Sequence, residues 1–297
     1  MPYIGRFAPS PTGPLHIGSL ATAVASYLHA KKANGEWLLR IEDIDHSREQ
    51  PGSADSIRAT LDAFELGWDR DVFYQSSEIE SYRSVAEKLI PLGLAFRCSC
   101  TRSQLQITAK LGKLGIRYPG HCRMRKYHDK PTAIRVLAEP DEIIFTDGLQ
   151  GRQKKYLSQL TGDYTIIRRD TLPSYNLSTV LDDSSQGVTH VVRGVDLLEL
   201  TGVHIHLQRT LGIQTPEYLH LPIIVDANGQ KLSKQTGAAP VINKHAANLS
   251  VTLLAYLGLQ IPNELIGSSP SELWAWAIQH WNPKTIANKK TIKTKYS

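Results

Sequence analysis

Residues 3–19 constrain this chain more than any other stretch. Tyr3-Ile4-Gly5-Arg6-Phe7 is apolar and aromatic, and it predicts a short strand. Pro9, Pro11, Pro14 and Gly13 then force a rigid turn, because proline fixes φ and glycine admits positive φ. A helix is expected from about His16 through Ala30. A strand, tight loop and helix in this order leave the first backbone N–H groups of the helix unpaired at the positive end of its dipole. Such a start binds phosphate well. Gly18 and Ser19 leave room for a ligand to lie against the backbone, and His16 adds a side-chain donor at the same place. The plainer alternative is an ordinary turn with a capping histidine.

The next segments extend the pattern. Trp37-Leu38-Leu39-Arg40-Ile41 reads as a buried strand that runs into Glu42-Asp43-Ile44-Asp45. Ligands of open parallel sheets bind beyond the carboxyl ends of strands, where a carboxylate can hold an ammonium group. A solvated acidic loop or a helix cap is the alternative for these acids. Helices are predicted over 53–66 and 79–92, with Ile57, Leu61 and Phe64 on one face. Strand alternating with helix is the opening of a doubly wound fold.

From about Ala95 to Arg152 that rhythm breaks. All three cysteines of the chain, Cys98, Cys100 and Cys122, fall here. An odd count argues against a disulfide framework. Three thiolates suit Zn²⁺, which takes four ligands in a tetrahedron. His121 or Tyr118 is the candidate fourth ligand: imidazole is the commoner, but His121 adjoins Cys122, which makes joint ligation awkward. Three buried, inert thiols are the plain alternative.

The α/β pattern is expected to return near Asp163. Strands are predicted at 164–169, 188–194 and 218–225, with helices opening near Leu177 and after Asp196. His204 and His206 are two residues apart on the second helix, so they face different ways and make a poor metal pair; they read as packing or surface residues, and His190 as structural. Asn228-Gly229 signals a turn. It precedes Lys231-Leu232-Ser233-Lys234-Gln235, where two lysines flanking a serine can cradle a polyphosphate. An exposed basic loop is the alternative. From Ala246 the chain is expected to be helical, ending in a frayed basic tail that touches RNA phosphates or only aids solubility.

Composition bounds the class. A chain of 297 residues, 41% hydrophobic and 21% charged, suits one large or two medium globular domains. No run of 18 apolar residues and no basic-then-apolar leader is present, so a soluble, cytoplasmic protein without a membrane partner is expected. A net charge of +6 is compatible with a nucleic-acid partner without requiring one.

His16-Ile17-Gly18-Ser19 and Lys231-Leu232-Ser233-Lys234-Gln235 together resemble the paired signatures of class I aminoacyl-tRNA synthetases, His-Ile-Gly-His and Lys-Met-Ser-Lys-Ser. The lead-in Arg6-Phe7-Ala8-Pro9-Ser10-Pro11-Thr12-Gly13 is similar to the glutamyl branch. The resemblance covers Arg6 to about Val241. It implies an α/β fold, a Rossmann-like doubly wound parallel sheet interrupted by an α+β insertion, with a short helical C-terminal region. It divides the chain into a catalytic domain at 1–94 and 160–243, an RNA-facing insertion at 95–159 and a helical region at 244–297. Glutamate-binding residues carry over as Arg6, Phe7, Ala8, Pro9, Ser10, Glu42, Tyr175 and Arg193. ATP-binding residues carry over as His16, Gly18, Ser19, Lys231, Ser233 and Lys234, of which His16, Lys231 and Lys234 serve catalysis. The metal set it implies is Cys98, Cys100, Tyr118 and Cys122, around one structural Zn²⁺. Mg²⁺ accompanies ATP.

Two positions depart from the signatures, Ser19 for the second histidine and Gln235 for the last serine. The chain also stops some 60 residues after the lysine loop, where a full glutamyl-tRNA synthetase continues through an anticodon-reading domain. The resemblance therefore points to a short paralogue, expected to be a monomer. It implies activation of L-glutamate by ATP and transfer to queuosine at the wobble position of tRNA(Asp). A truncated synthetase charging a tRNA 3′ end, a non-catalytic RNA- or nucleotide-binding paralogue, and a nucleotidylyltransferase are the alternatives.

Overall fold

The computed structural model describes residues 2–125, 130–226, 228–231 and 241–293. Strand β1 (Ile4–Phe7) leads through the proline loop into helix α1 (Ile17–Lys32), and β2 (Glu36–Ile41) returns parallel to β1. The register pairs Ile4 with Glu36 and Phe7 with Leu39. Gly35 makes the return possible, since a Cβ there would sit 2.4 Å from the Tyr3 carbonyl oxygen. Helices α2 (Ser53–Ala63) and α3 (Ile79–Leu89) follow, with the short strand β3 (Phe73–Tyr74) parallel to β2.

The second half of the parallel sheet comes much later in the chain. Strands β11 (His190–Gly194) and β12 (Glu217–Leu221) run parallel, linked by helix α7 (Leu198–Leu211). Strand β11 lies beside β1, where Thr189 N donates to Ile4 O at 2.9 Å. The strands therefore follow in the order β3, β2, β1, β11, β12, and the crossover from β1 marks the place where a doubly wound sheet opens a ligand crevice. The Rossmann-like expectation is met.

Between the halves, β4 (Ala95–Cys98), β7 (Ala133–Val136) and β10 (Tyr164–Ile167) form an antiparallel sheet in the order β10, β7, β4. Helix α4 (Arg102–Thr108) and the hairpins β5–β6 (Leu111–Gly112, Gly115–Ile116) and β8–β9 (Glu142–Asp147, Gly151–Tyr156) complete this region, and α5 (Leu157–Leu160) and α6 (Tyr175–Ser185) lead back. The strand expected at 164–169 exists, but it pairs antiparallel to β7 instead of joining the parallel sheet.

Helix α1 is the centre of the larger core. Leu20, Val24, Ala25 and Leu28 are fully buried, packed by the sheet on one side and by helices α8 (Ala246–Tyr256) and α9 (Pro270–His280) on the other. Its small residues let neighbours approach closely, and each fully buried large aliphatic side chain contributes about 1.5–3 kcal/mol. Trp37 and Trp274 place their indole N–H groups on Ser26 Oγ and the Phe64 carbonyl, so neither burial strands a donor.

Two expectations need correction. The strand expected over 218–225 is broken at Pro222, which has no N–H for a ladder; β12 ends at Leu221 and β13 (Ile223–Val225) begins anew. The tail expected to fray instead supplies β14 (Thr291–Lys293), parallel to β13, with Ile292 opposite Ile224. Alternation in Thr-Ile-Lys is too short to announce a strand, and its partner lies about seventy residues upstream. No described helix is long and apolar enough to cross a membrane.

Candidate active site

A cleft of about 510 Å³ opens at the carboxyl ends of β1 and β11. It gathers Arg6, Phe7, Ala8, Pro9, Ser10, His16, Gly18, Ser19, Tyr175, Arg193 and Lys231 from distant parts of the chain. Glu42 lies behind this wall: its backbone N–H donates to Pro9 O at 3.0 Å, and its carboxylate accepts from Thr179 Oγ1 at 3.4 Å. Ser233 and Lys234 lie outside the described residues.

The inner end is a buried ion network. Arg6 Nε donates to Asp183 Oδ1 at 3.1 Å, and Arg40 Nη1 donates to the same oxygen at 2.8 Å. Arg40 also stands 3.5 Å from Glu42 Oε1 and 3.8 Å from Asp182 Oδ2. Asp182 is fixed by the Tyr82 hydroxyl at 2.7 Å and the Gln75 amide at 2.6 Å. Burial pushes the Asp183 carboxyl up, but the two guanidiniums outweigh it and hold it down to about 2. Burial wins at Asp182, raising it to about 6 against the pull of Arg40, and Glu42 is likewise raised by burial.

Arg193 is held differently. Its Nε donates to His220 Nε2 at 3.2 Å, Nη2 to Thr201 Oγ1 at 2.8 Å, and Nη1 faces His204 Nδ1 at 3.3 Å. All of these partners are uncharged, and no carboxylate among the described residues lies within ion-pair distance of it. A buried guanidinium that lines a cleft without a counter-ion is a ready carboxylate receptor.

The outer end is more open. His16 caps α1: its Nδ1 accepts from the Gly18 and Ser19 amides at 3.1 and 3.3 Å, and Nε2 lies 2.9 Å from Ser19 Oγ. This corrects the expectation that these amides stand unpaired and that His16 only donates. The histidine satisfies the helix start and presents its Nε2 edge with Ser19 instead. Lys231 Nζ pairs with Asp196 Oδ2 at 2.6 Å, both partly exposed at the mouth of the cleft.

The cysteines form a separate cluster and none lines the cleft. The sulfurs of Cys98, Cys100 and Cys122 lie within 4.8 Å of one another, with Cys100 and Cys122 at 3.6 Å. Tetrahedral zinc–thiolate bonds of about 2.3 Å place sulfurs at roughly this spacing, so the donor set fits the ion. The Tyr118 hydroxyl joins the cluster, accepting from Cys98 Sγ at 3.4 Å and from Cys122 N at 2.8 Å. His121 turns away to Thr108 Oγ1 at 3.3 Å. Burial raises the Cys122 thiol, but bonds from Tyr118, the Ser99 backbone and the neighbouring thiols outweigh it and bring it down to about 7.

Sequence reasoning missed Arg40, Asp182, Asp183, His204 and His220 as parts of the site. An arginine inside the apolar run of β2 was the available signal, since a buried charge requires a partner. His204 and His206 do face different ways, but both are buried: His204 meets Arg193, and His206 Nδ1 meets the Tyr164 hydroxyl at 2.7 Å.

Residues 4–260 match the family described as tRNA synthetases class I (E and Q), catalytic domain. A Pseudomonas entomophila (strain L48) protein named glutamyl-Q tRNA(Asp) synthetase is 46% identical over 290 residues, which is 98% of this chain and 96% of that protein. A protein of the same name from Aromatoleum aromaticum is 46% identical over 287 residues, covering 95% and 89%. Among solved structures, a glutamate–tRNA synthetase from Elizabethkingia anophelis superposes with a TM-score of 0.82 at 24% identity, covering 100% of this chain and 68% of the other. A glutamate tRNA ligase from Elizabethkingia meningosepticum, in complex with its amino acid, gives 0.81 at 24% identity over 99% and 67%. At that identity the likeness carries the fold.

Proposed function

The chain belongs to the class I tRNA synthetase family, alongside relatives named glutamyl-Q tRNA(Asp) synthetase, and from that premise we propose that it activates L-glutamate with ATP and transfers it to queuosine at the wobble position of tRNA(Asp). One observation carries the amino-acid part: buried Arg193 lines the cleft with only neutral partners among the described residues. The glutamate side-chain carboxylate supplies the missing charge, with Arg6 beside it and Tyr175 closing the space. Glu42, which adjoins the cleft wall at Pro9, turns from Thr179 to take the α-ammonium. Glutamine would leave the guanidinium unmet, so glutamate is favoured.

The α-carboxylate attacks the α-phosphorus of ATP, which enters as its magnesium complex. A carboxylate oxygen–phosphorus bond forms, the bond to the β-phosphate bridge breaks, and pyrophosphate leaves with the electron pair. No protein nucleophile takes part. The chain aligns the reactants and neutralises phosphate charge. His16 with Ser19 meets the nucleotide, while Lys231 leaves Asp196 for the departing pyrophosphate, with Ser233 and Lys234 of the same motif sharing that role. A ring hydroxyl of the queuosine cyclopentenediol then attacks the glutamyl adenylate and AMP leaves.

In this reading the parallel sheet with its helices is the catalytic body, the antiparallel sheet of β10, β7 and β4 with its hairpins is the RNA-facing insertion, and α8, α9 and β14 support the body. Cys98, Cys100, Cys122 and Tyr118 hold one Zn²⁺ that fixes the insertion. The protein acts as a cytoplasmic monomer.

The test is attachment of labelled glutamate to tRNA pools from cells with and without queuosine. Label confined to tRNA(Asp) of the queuosine-containing pool is expected. Equal labelling of glutamate tRNA in both pools would make this a charging enzyme and overturn the reading. Labelling of neither pool would point to a non-catalytic binder.

A further inference from the structure

The residues that hold Arg193 trace back to the insertion. Asp147 ends β8, and the 147–150 turn of the β8–β9 hairpin presses on β12. Gly148 N donates to Tyr218 O at 2.8 Å, and a Cβ on Gly148 would meet Leu219 at 2.9 Å. Asp147 Oδ1 accepts from the backbone N–H groups of Leu149, Gln150 and His220 at 3.0, 2.8 and 3.2 Å. That leaves Oδ2 for one partner, His220 Nδ1, at 2.6 Å, and both side chains are fully buried.

The protons in this chain are fixed by elimination. The Nε–H of Arg193 can only donate, so His220 Nε2 must accept from it. The imidazole proton therefore sits on Nδ1 and is donated to Asp147. The carboxylate locks the tautomer, the tautomer provides the acceptor, and the acceptor fixes the guanidinium without neutralising its charge. We propose that Asp147 and His220 are positioning residues for Arg193, so that a turn of the insertion sets the amino-acid receptor of the catalytic cleft. This rests on the reading of Arg193 as the glutamate ligand.

The chain of donors makes Asp147→Asn informative. Three backbone donors claim the Oδ1 position, so the carboxamide oxygen goes there and its NH₂ faces His220 Nδ1. That nitrogen must then accept, which moves the proton to Nε2, directly against the Arg193 N–H. Two donors now oppose each other across the Arg193 Nε contact; the new Nε2–H is left to Thr201 Oγ1 at 2.9 Å, the oxygen that already takes Arg193 Nη2, and the guanidinium loses its Nε acceptor. His220→Asn is the second variant. It keeps a donor for Asp147 but offers Arg193 no acceptor.

Glutamate-dependent ATP–pyrophosphate exchange is measured for the full chain and for both variants, alone and combined. The KM for glutamate is expected to rise about tenfold or more in each, the scale of a lost buried hydrogen-bond partner, with the KM for ATP within about twofold of wild type. The double variant is expected to cost no more than the worse single one, because both break one chain. Equal rises in both KM values, or a lowered melting temperature with unchanged KM values, would show that Asp147 and His220 only support the fold and would overturn the proposal. Arg193→Lys is run beside them. An unchanged KM for glutamate there would remove the receptor reading itself, an outcome distinct from failure of the relay alone.

Discussion

The two ends of one cleft are built on opposite principles. At the inner end Arg6, Arg40, Asp182, Asp183 and Arg193 are almost wholly withdrawn from water; Arg6 is tied to Asp183, and each of the others to two or more side chains. At the outer end His16 and Lys231 make contacts that solvent or a ligand can replace. A small charged substrate must be told from its neutral analogue, and that requires fixed, desolvated charge. A polyphosphate that arrives and departs in pieces requires side chains that exchange partners. The difference predicts that inner substitutions damage the protein itself, whereas outer ones damage only its turnover.

Asp183→Asn has the largest expected effect. It leaves Arg6 and Arg40 buried with the charge of their shared acceptor gone, and breaking a buried pair in this way costs about 3–5 kcal/mol. Denaturant unfolding measures it, and a loss below about 1 kcal/mol, the scale of exposed pairs, would erase the contrast between the two ends. Lys231→Ala is the outer counterpart. Its pair with Asp196 is exposed, so stability should change by less than about 1 kcal/mol. Pyrophosphate exchange should nevertheless slow about a hundredfold, the scale of one lost charge-stabilising donor. A large stability loss with normal turnover would reverse the assignment.

The cysteine cluster shows whether burial alone decides such costs. Tyr118→Phe removes the acceptor of the buried Cys122 N–H, which is worth about 1–3 kcal/mol. It should also lower the zinc content per chain by elemental analysis, while His121→Ala should leave zinc in place because that ring faces Thr108. The opposite pattern would assign the fourth ligand to the histidine.

The smallest effect concerns acid. His29 accepts from the Trp281 indole N–H at 3.1 Å, and burial, with His190 and Lys32 nearby, lowers its pKa to about 4. The folded ring is thus neutral where the unfolded one, at 6.5, is already protonated. Its contribution to stability is complete above pH 6.5 and is lost as pH falls toward 4. His29→Gln, which keeps an acceptor but cannot titrate, should flatten the melting temperature over that window. An unchanged acid slope would place the loss at the other buried histidines.

The outer end was the more legible in sequence, because its parts lie close together: a strand, three prolines and His16 within a few residues predict the loop and the helix start. What the sequence could not display was the capping role of the imidazole, a matter of ring orientation. The inner end is legible only in pieces. Arg40 is a charge inside an apolar strand, but its partner Asp183 is 143 residues away, and nothing near either residue in the chain points to the other. Long-range ion pairs carry no local pattern. The tail failed for the same reason, since the edge that recruits β14 is created by the break at Pro222.

Amino-acid selection by the unmet charge of Arg193 is the central claim, and ATP–pyrophosphate exchange with glutamate set against glutamine tests it most directly. Exchange that depends on glutamate, with glutamine giving none above background, is the predicted result. Comparable exchange with both amino acids would contradict the claim, as would exchange with neither.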